Sequence, residues 1–393
     1  MISWSDITVF RSAEDAEALW RALEADGACT PYQRYDWLSA WYATVAMMNR
    51  LQTAIVVLRD SNGWPAALFP FVLERQGPAL VARFAGGKHC NANMGVFRPG
   101  FAEQLGHTPA VAILNAMADE IAREGLGRVD VFHLRAQPGA WSGMPNPLAG
   151  GPGCHPAEDA HALTLREDES EEDLTRRLLG KDSRKKLAKK LRWLDELGGV
   201  AFRRAETEAE VDRILCSFFR QKAERFRAQG IVNPFACTST QAFIRRAALA
   251  GLDQGRPALE IHALWCGDVV AAAFGGCCDG RRLSGTFISM ETDLAIMRSS
   301  PGELIALELA RLALRRGLRS FDLGMGDDGY KRHTCPEREL RFESVVPVSA
   351  LGRAVALGLI GLGRLKGAMK RDDRVLRTVR RVAFRLVGGD RNP

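Results

Sequence analysis

Two short stretches in the C-terminal third of the chain carry residue types that can do chemistry. Gly324 to Gly329 is a glycine-rich loop holding Asp327 and Asp328, with Tyr330 and Lys331 directly after it. Asp322 stands just before the loop, in the apolar run Ser320-Phe-Asp-Leu323. Upstream lies Ser300-Pro301-Gly302-Glu303, preceded by Arg298 and Ser299. That second stretch reads as a helix start, with a serine to cap and a proline at the first helical position, where its missing N–H costs nothing. Amides left open at such an N-terminus attract phosphate. Helix, buried strand and polar glycine-rich loop in this order are how an α/β protein builds a ligand site at a strand end.

The elements that must position these residues follow from periodicity and turn residues. Leu304, Leu307, Ala310, Leu312 and Leu314 recur at helical spacing, and Gly317 stands where a left-handed residue ends a helix. Strands are predicted over 259–265, 269–277 and 282–289, joined by tight turns at Gly267-Asp268 and Asp279-Gly280. Helices are predicted over about 207–229 and 239–250. In the first half, helices span about 12–25 and 34–48, and Trp37, Leu38, Trp41 and Tyr42 fall at core spacing. Strands over 53–58 and 66–73 flank a turn at Ser61-Asn-Gly. A polar loop over 86–95, a helix over 107–124 and a strand over 129–134 complete that half. Seven of the twelve residues from 181 to 192 are Lys or Arg, with Leu187, Leu191 and Leu194 as an apolar stripe. This helix is either a solvated face or a cationic wall for a phosphate-bearing ligand.

Residues 136–160 are rich in Pro, Gly and Ala and read as a connection between two halves. Arg123-Glu-Gly-Leu-Gly-Arg-Val-Asp130 and Arg315-Arg-Gly-Leu-Arg-Ser-Phe-Asp322 share Arg-x-Gly-Leu-x-x-x-Asp, each at the end of a helix and the start of a strand. With the same order of elements around them, the chain reads as two related α/β units with mixed sheets, 1–155 and 160–350. A strand over 340–348 is expected to close the second unit. Only the second unit keeps Ser-Pro-Gly and the Gly-Asp-Asp-Gly-Tyr-Lys loop, so chemistry is expected there.

The net charge of +7 is unevenly placed. Residues 351–393 hold eleven Lys or Arg and three Asp, a net +8, which leaves the body at −1. The tail contains a basic amphipathic helix pattern, with Val375, Val379, Val382 and Leu386 on one side. Such a helix either packs on the body or lies on an anionic membrane surface. Nine scattered cysteines form no Cys-x-x-Cys pair and no metal-type spacing with histidine, so no metal is expected. No secretory pattern opens the chain, and the expected location is the cytoplasm, with the tail at the inner membrane surface if it binds lipid.

Ser300-Pro-Gly-Glu-Leu, Gly317-Leu-Arg-Ser-Phe-Asp-Leu-Gly and Gly326-Asp-Asp-Gly-Tyr-Lys together resemble the CelD-like acetyltransferases of the GNAT superfamily, which are similar to tandem FemX-like proteins in having two GNAT units. The resemblance implies that 160–350 is a GNAT acetyltransferase unit, that 1–155 is a degenerate one, and that 351–393 lies outside. It implies direct attack of an amine or hydroxyl on an acyl-CoA thioester, most simply acetyl-CoA, with a small molecule or glycan precursor as acceptor. Arg298, Ser299, Ser300, Gly302 and Glu303 would hold the CoA pyrophosphate. Asp322 and Asp327, with Asp328, are candidates for the base or for orienting substrate, Tyr330 for the acid that protonates the leaving thiolate, and Lys331 for neutralising charge. Asp322 equally reads as a brace for the loop. His333, and Glu224 with Arg225, are further, weaker candidates for acceptor contact. Two other functions remain open: aminoacyl-tRNA-dependent transfer of FemX type, and a non-enzymatic membrane-surface or assembly role.

Overall fold

A computed structural model of the chain describes residues 6–27, 29–106, 108–326 and 329–371. It divides into two compact units, the first built from the chain up to residue 160 together with 339–364, the second from 161–338.

The first unit begins with β1 (Asp6–Phe10), α1 (Ala13–Asp26) and α2 (Tyr35–Trp41), followed by β2 (Gln52–Arg59), β3 (Pro65–Gln76) and β4 (Ala79–Phe84). Then come β5 (Val96–Phe97), α3 (Phe101–Leu105), α4 (Ala110–Arg123), β6 (Val131–Pro138), β7 (Ala140–Trp141), β8 (Met144–Pro145) and β9 (Cys154–Pro156). Ser12 caps α1 through a bond from the Asp15 amide. The β2–β3 turn forms because the Asp60 carboxylate accepts the Asn62 and Trp64 amides while Gly63 turns left-handed. Trp37, Leu38 and Trp41 are buried in the core, as their spacing predicts.

The second unit contains β10 (Ala160–Thr164), α5 (Glu171–Leu178), α6 (Lys181–Gly198), β11 (Val200–Arg204), α7 (Glu208–Gln229) and α8 (Thr238–Leu249). It continues through β12 (Glu260–Cys266), β13 (Val269–Cys278), β14 (Arg282–Met290), α9 (Leu294–Met297), α10 (Pro301–Arg315), β15 (Ser320–Met325), α11 (Gly329–Thr334) and β16 (Glu337–Glu339). Its sheet runs β11-β12-β13-β14-β15-β10-β16. Leu304, Ile305, Leu309 and Ala313 of α10 enter one core with Phe274 and Phe321. A capping box between Thr207 and Glu210 starts α7.

The last strand, β17 (Arg341–Pro347), corrects an expectation. Instead of closing the second unit it joins the first sheet, β1-β2-β3-β4-β6-β17-β9, antiparallel to β6 from Arg341↔Pro138 to Pro347↔Val131. Its apolar pattern shows that it is buried; it does not show which edge it pairs with, and Val345 packs on Val81 and Val131. After it, α12 (Ala350–Arg371) lays Val355, Ala356, Leu359 and Ile360 on the same cluster. Gly352 is required there, since a Cβ would lie 1.8 Å from the Asp130 carbonyl oxygen. The amphipathic stretch 375–386 lies outside the described residues.

The internal echo has a physical basis. Gly125 and Gly317 both have positive φ, 73° and 66°, and both donate to the carbonyl three residues back, Ala122 and Leu314. Leu126 and Leu318 then donate to Ile121 and Ala313 and are buried. Each copy is therefore the same helix-ending motif, closed by a glycine and anchored by a leucine.

Candidate functional site

β14 lies between two kinds of neighbour. Against β13 its register jumps: Gly275 faces Phe287 but Gly276 faces Gly285, so Thr286 is an extra, unpaired residue in a bulge. Against β15 it runs parallel for only three rungs, Arg282↔Ser320, Leu283↔Phe321 and Ser284↔Asp322. Beyond Asp322 the two strands part, while β15 keeps β10 on its other side. Gly285 sits at the apex, where a Cβ would come within 3.0 Å of the Asp322 carbonyl oxygen. Backbone groups of 286–290 and 323–325 thus border a wedge open at the C-terminal ends of two parallel strands.

The start of α10 is held against that wedge. A Cβ on Gly302 would lie 2.4 Å from Sδ of Met290, the last residue of β14, so the first turn rests close against that side chain. Ser300 does not cap α10 with its side chain, contrary to expectation. It adopts a left-handed conformation, φ 52° and ψ 59°, and its carbonyl accepts the amides of Glu303 and Leu304. A non-glycine residue held there costs on the order of 1–2 kcal/mol, strain that proteins tend to keep at working sites. The capping side chain is Asp293, at the head of α9, which accepts from the Ala295 and Ile296 amides. Ser299 is fully buried, its hydroxyl donating to the Ile296 carbonyl at 2.7 Å.

The basic helix packs beside this start. Lys190 pairs with Glu303 at 2.7 Å, Trp193 donates to the Ala295 carbonyl at 3.0 Å, and Arg298 stacks over the Trp193 ring at 4.5 Å. Arg298, Ser299, Ser300, Gly302 and Glu303 are thereby gathered in one short segment, with Arg298 and Glu303 engaged by α6.

At the other border, Asp322 is buried and both its oxygens are taken. Oδ2 accepts from Arg282 Nε at 2.6 Å, and Oδ1 from the Gly324 amide at 2.8 Å. Beside it, burial and then the Asp322 charge push the Cys335 thiol well above its ordinary range. Lys331 is buried and donates to the Met325 carbonyl at 2.6 Å, tying α11 to the end of β15. Asp327 and Asp328 lie outside the described residues; Tyr330 belongs to the first turn of α11. His333 is exposed on the same helix.

A polar network adjoins the end of β14 that sequence reasoning touched only at Glu224. Glu291 pairs with Arg220, Arg220 also reaches Glu224, and the Thr292 hydroxyl donates to Glu224. Burial alone would push the Glu291 carboxyl up, but the Arg220 hydrogen bonds and the Thr292 amide outweigh it and hold it below the usual carboxylate range. Gln221 donates to the Val270 carbonyl and accepts from the Ser289 hydroxyl. Arg225 and Glu224 are neighbours in sequence, but the network is built with Arg220 one turn earlier. Its only signal in the sequence was the i, i+4 pair Arg220–Glu224.

The first unit has the corresponding parallel pair, β4 and β6, with two rungs, Val81↔Val131 and Ala82↔Phe132. Past these rungs its own chain engages β6. The Asn93 amide donates to the Ala136 carbonyl at 2.8 Å, its side chain donates to the Arg135 carbonyl at 3.1 Å, and it accepts from Gln33 at 3.0 Å. Ala92, Asn93 and Met94 are all buried.

Residues 181–332, from α6 to α11, match the family model described as an acetyltransferase (GNAT) domain, so the second unit carries a GNAT acetyltransferase domain. No curated protein sequence matches the chain. Among solved structures, FemX is similar at 9% identity with a TM-score of 0.59, covering 89% of this chain and 100% of its own. A conserved protein of unknown function from Bacteroides thetaiotaomicron is similar at 13% identity with a TM-score of 0.52, covering 87% of this chain and 100% of its own. At such identities the likeness is one of fold: an α/β chain of tandem GNAT-like architecture with two mixed sheets.

Proposed function

We propose that the second unit transfers an acyl group, acetyl in the simplest case, from acyl-CoA to an amine or hydroxyl of a small molecule or glycan precursor, as the CelD-like resemblance implies. The observation that supports this reading best is the seat of Gly302 on Met290, which joins a helix N-terminus to the mouth of a wedge between two parallel strands. The α10 dipole and the Gly302 amide, the first-turn N–H that the Ser300 carbonyl does not take, attract the pyrophosphate, with Arg298, Ser299, Ser300, Gly302 and Glu303 as the surrounding segment. The wedge accepts the pantetheine arm along backbone edges that otherwise lack strand partners. At the Thr286 bulge, backbone amides turned out of the ladder can donate to the thioester oxygen as charge develops on it.

The acceptor attacks the thioester carbon, the C–S bond breaks, and the two proton positions belong to this chain. Asp327 is our candidate to take the acceptor's proton, and Tyr330 to give one to the departing thiolate. Asp322 and Lys331 flank both in the sequence and are held in place, the first by Arg282 and the Gly324 amide, the second by its bond to the Met325 carbonyl. We place this activity in a C-terminal catalytic unit and assign the N-terminal unit a supporting role, because Asn93 engages β6 where a donor would otherwise lie.

The seven cations of 181–192 favour one second reading, aminoacyl-tRNA as donor. Calorimetric titration of acetyl-CoA into the intact protein decides between them. Binding that survives ribonuclease treatment supports acyl-CoA; absence of binding, with activity lost to ribonuclease, would sink it in favour of tRNA. A cytoplasmic location, with the tail reaching the inner membrane surface, remains part of the proposal. Among the described residues no helix is long and apolar enough to cross a membrane.

A further inference from the structure

We infer that the outward side of α6 and α9, in the second unit, docks on an anionic lipid bilayer. The inference stands apart from the acyl-CoA reading: it concerns a surface and needs no donor, so neither falls with the other. α9 is a four-residue helix between the end of β14 and the start of α10. It buries Ile296 and leaves Leu294 82% and Met297 50% exposed, three residues apart and so on one side of its turn. Scattered surface leucines need no explanation, but these two stand on a braced element. Asp293 caps α9 through the Ala295 and Ile296 amides, and Trp193 of α6 donates to the Ala295 carbonyl at 3.0 Å. These bonds hold the apolar pair out to solvent.

The charge beside the pair is mostly of one sign. Seven of the twelve residues from 181 to 192 are Lys or Arg, against the single acid Asp182. Lys186, Lys189 and Lys190 lie seven, four and three residues before Trp193 and share its face of α6. Leu197, four residues after it, is exposed. Arg298, also exposed, stacks over the Trp193 ring at 4.5 Å. Three acids of these segments are engaged: Asp293 by the α9 amides, Asp195 by the Val200 amide at 3.1 Å, and Glu303 by Lys190 at 2.7 Å. Glu196 follows beyond the cations. Aliphatic tips and a half-buried tryptophan among cations are what lies in a bilayer interface, with the apolar side roughly 5–10 Å deep and the cations at anionic headgroups. A polynucleotide would meet the cations but not Leu294 and Met297, because its bases stack on aromatic rings. A bilayer meets both. Since α9 runs directly into Arg298 and the start of α10, docking sets that segment at the headgroup level.

Cosedimentation of the full chain, without donor, with vesicles of phosphatidylcholine alone and of phosphatidylcholine mixed with phosphatidylglycerol tests this. The wild type is expected to partition onto the mixed vesicles, and Leu294→Ser/Met297→Ser to lower that partition at least about tenfold. Lys185→Glu/Lys189→Glu is expected to lower it as well. Met47→Ser/Met48→Ser, which removes two exposed methionines from the first unit, is expected to leave it unchanged. All these side chains are exposed, and the basic tail is the same in every protein, so its share cancels. Equal partition of the wild type and Leu294→Ser/Met297→Ser overturns the docking surface, and so does an equal loss in both apolar variants. A dimer that Leu294→Ser/Met297→Ser turns into a monomer, with vesicle partition unchanged, gives the surface to a second copy and overturns it too. Binding of tRNA with no partition of the wild type onto either vesicle assigns the cations to nucleic acid and likewise overturns it.

Discussion

Arg282 Nε donates to Asp322 Oδ2 at 2.6 Å across β14 and β15, spanning the last rungs before these strands part. Both side chains are buried, and the second carboxylate oxygen holds the Gly324 amide. The pair fixes the apex of the wedge and the first residue of the loop that follows, so Asp322 acts as a positioning residue. Asp322→Asn keeps the shape and removes the carboxylate charge from a buried ion pair, at a cost of up to about 3–5 kcal/mol. Urea denaturation is expected to show this loss, with the double variant Arg282→Met/Asp322→Leu recovering most of it. An Asp322→Asn protein of normal stability and abolished turnover would instead make the carboxylate a catalytic base.

In the proposed reaction Tyr330 gives its proton to the departing thiolate. Tyr330→Phe is expected to lower kcat about 100-fold, at the low end of general-acid effects, with KM for the donor little changed. The deficit should shrink with an acyl thioester whose thiol is more acidic, because such a leaving group needs less help. A deficit of the same size for both thioesters would remove Tyr330 from the acid role.

A buried network on the second sheet sets an acid limit on stability. Glu260 is buried, which alone would raise its pKa, yet hydrogen bonds from His262 and Arg316 hold it down at about 2. His262 is buried between Phe202 and Phe274, and burial lowers its pKa despite the Glu260 charge. Both groups therefore bind fewer protons folded than unfolded, and stability falls as pH falls. The His262 share starts to go below its unfolded value near 6.5, and the Glu260 share is lost from about 4.5 down to 2. His262→Phe removes the first share, so its denaturation midpoint is expected to drop less than that of the wild type between pH 7 and 5. Parallel curves for the two proteins would contradict this, since Glu260, whose pKa His262 also lowers, titrates below that pH window.

The parts of this architecture written in local sequence were legible there. Gly317 and Gly125 end their helices as their type and spacing require, and Trp37 and Trp41 are buried as their stripe predicts. The parts decided by distant partners were not. The apolar alternation of β17 is equally compatible with either sheet, and Ser300 looks like a side-chain cap until its backbone turns left-handed. The bulge at Thr286 exists only as a register between β13 and β14, and the Arg220–Glu291 pair joins residues 71 apart in the chain. Gly302 lies against Met290 and Gly285 against the Asp322 carbonyl, contacts that their local sequence does not announce.

The central claim, one donor wedge in the second unit and none in the first, is tested most directly by amide hydrogen exchange with and without acetyl-CoA. The account predicts slowed exchange in 285–290, 302–305 and 323–326, with 81–95 and 131–137 unchanged. Protection centred on 81–95 and 131–137, or no protection anywhere at saturating acetyl-CoA, would contradict it.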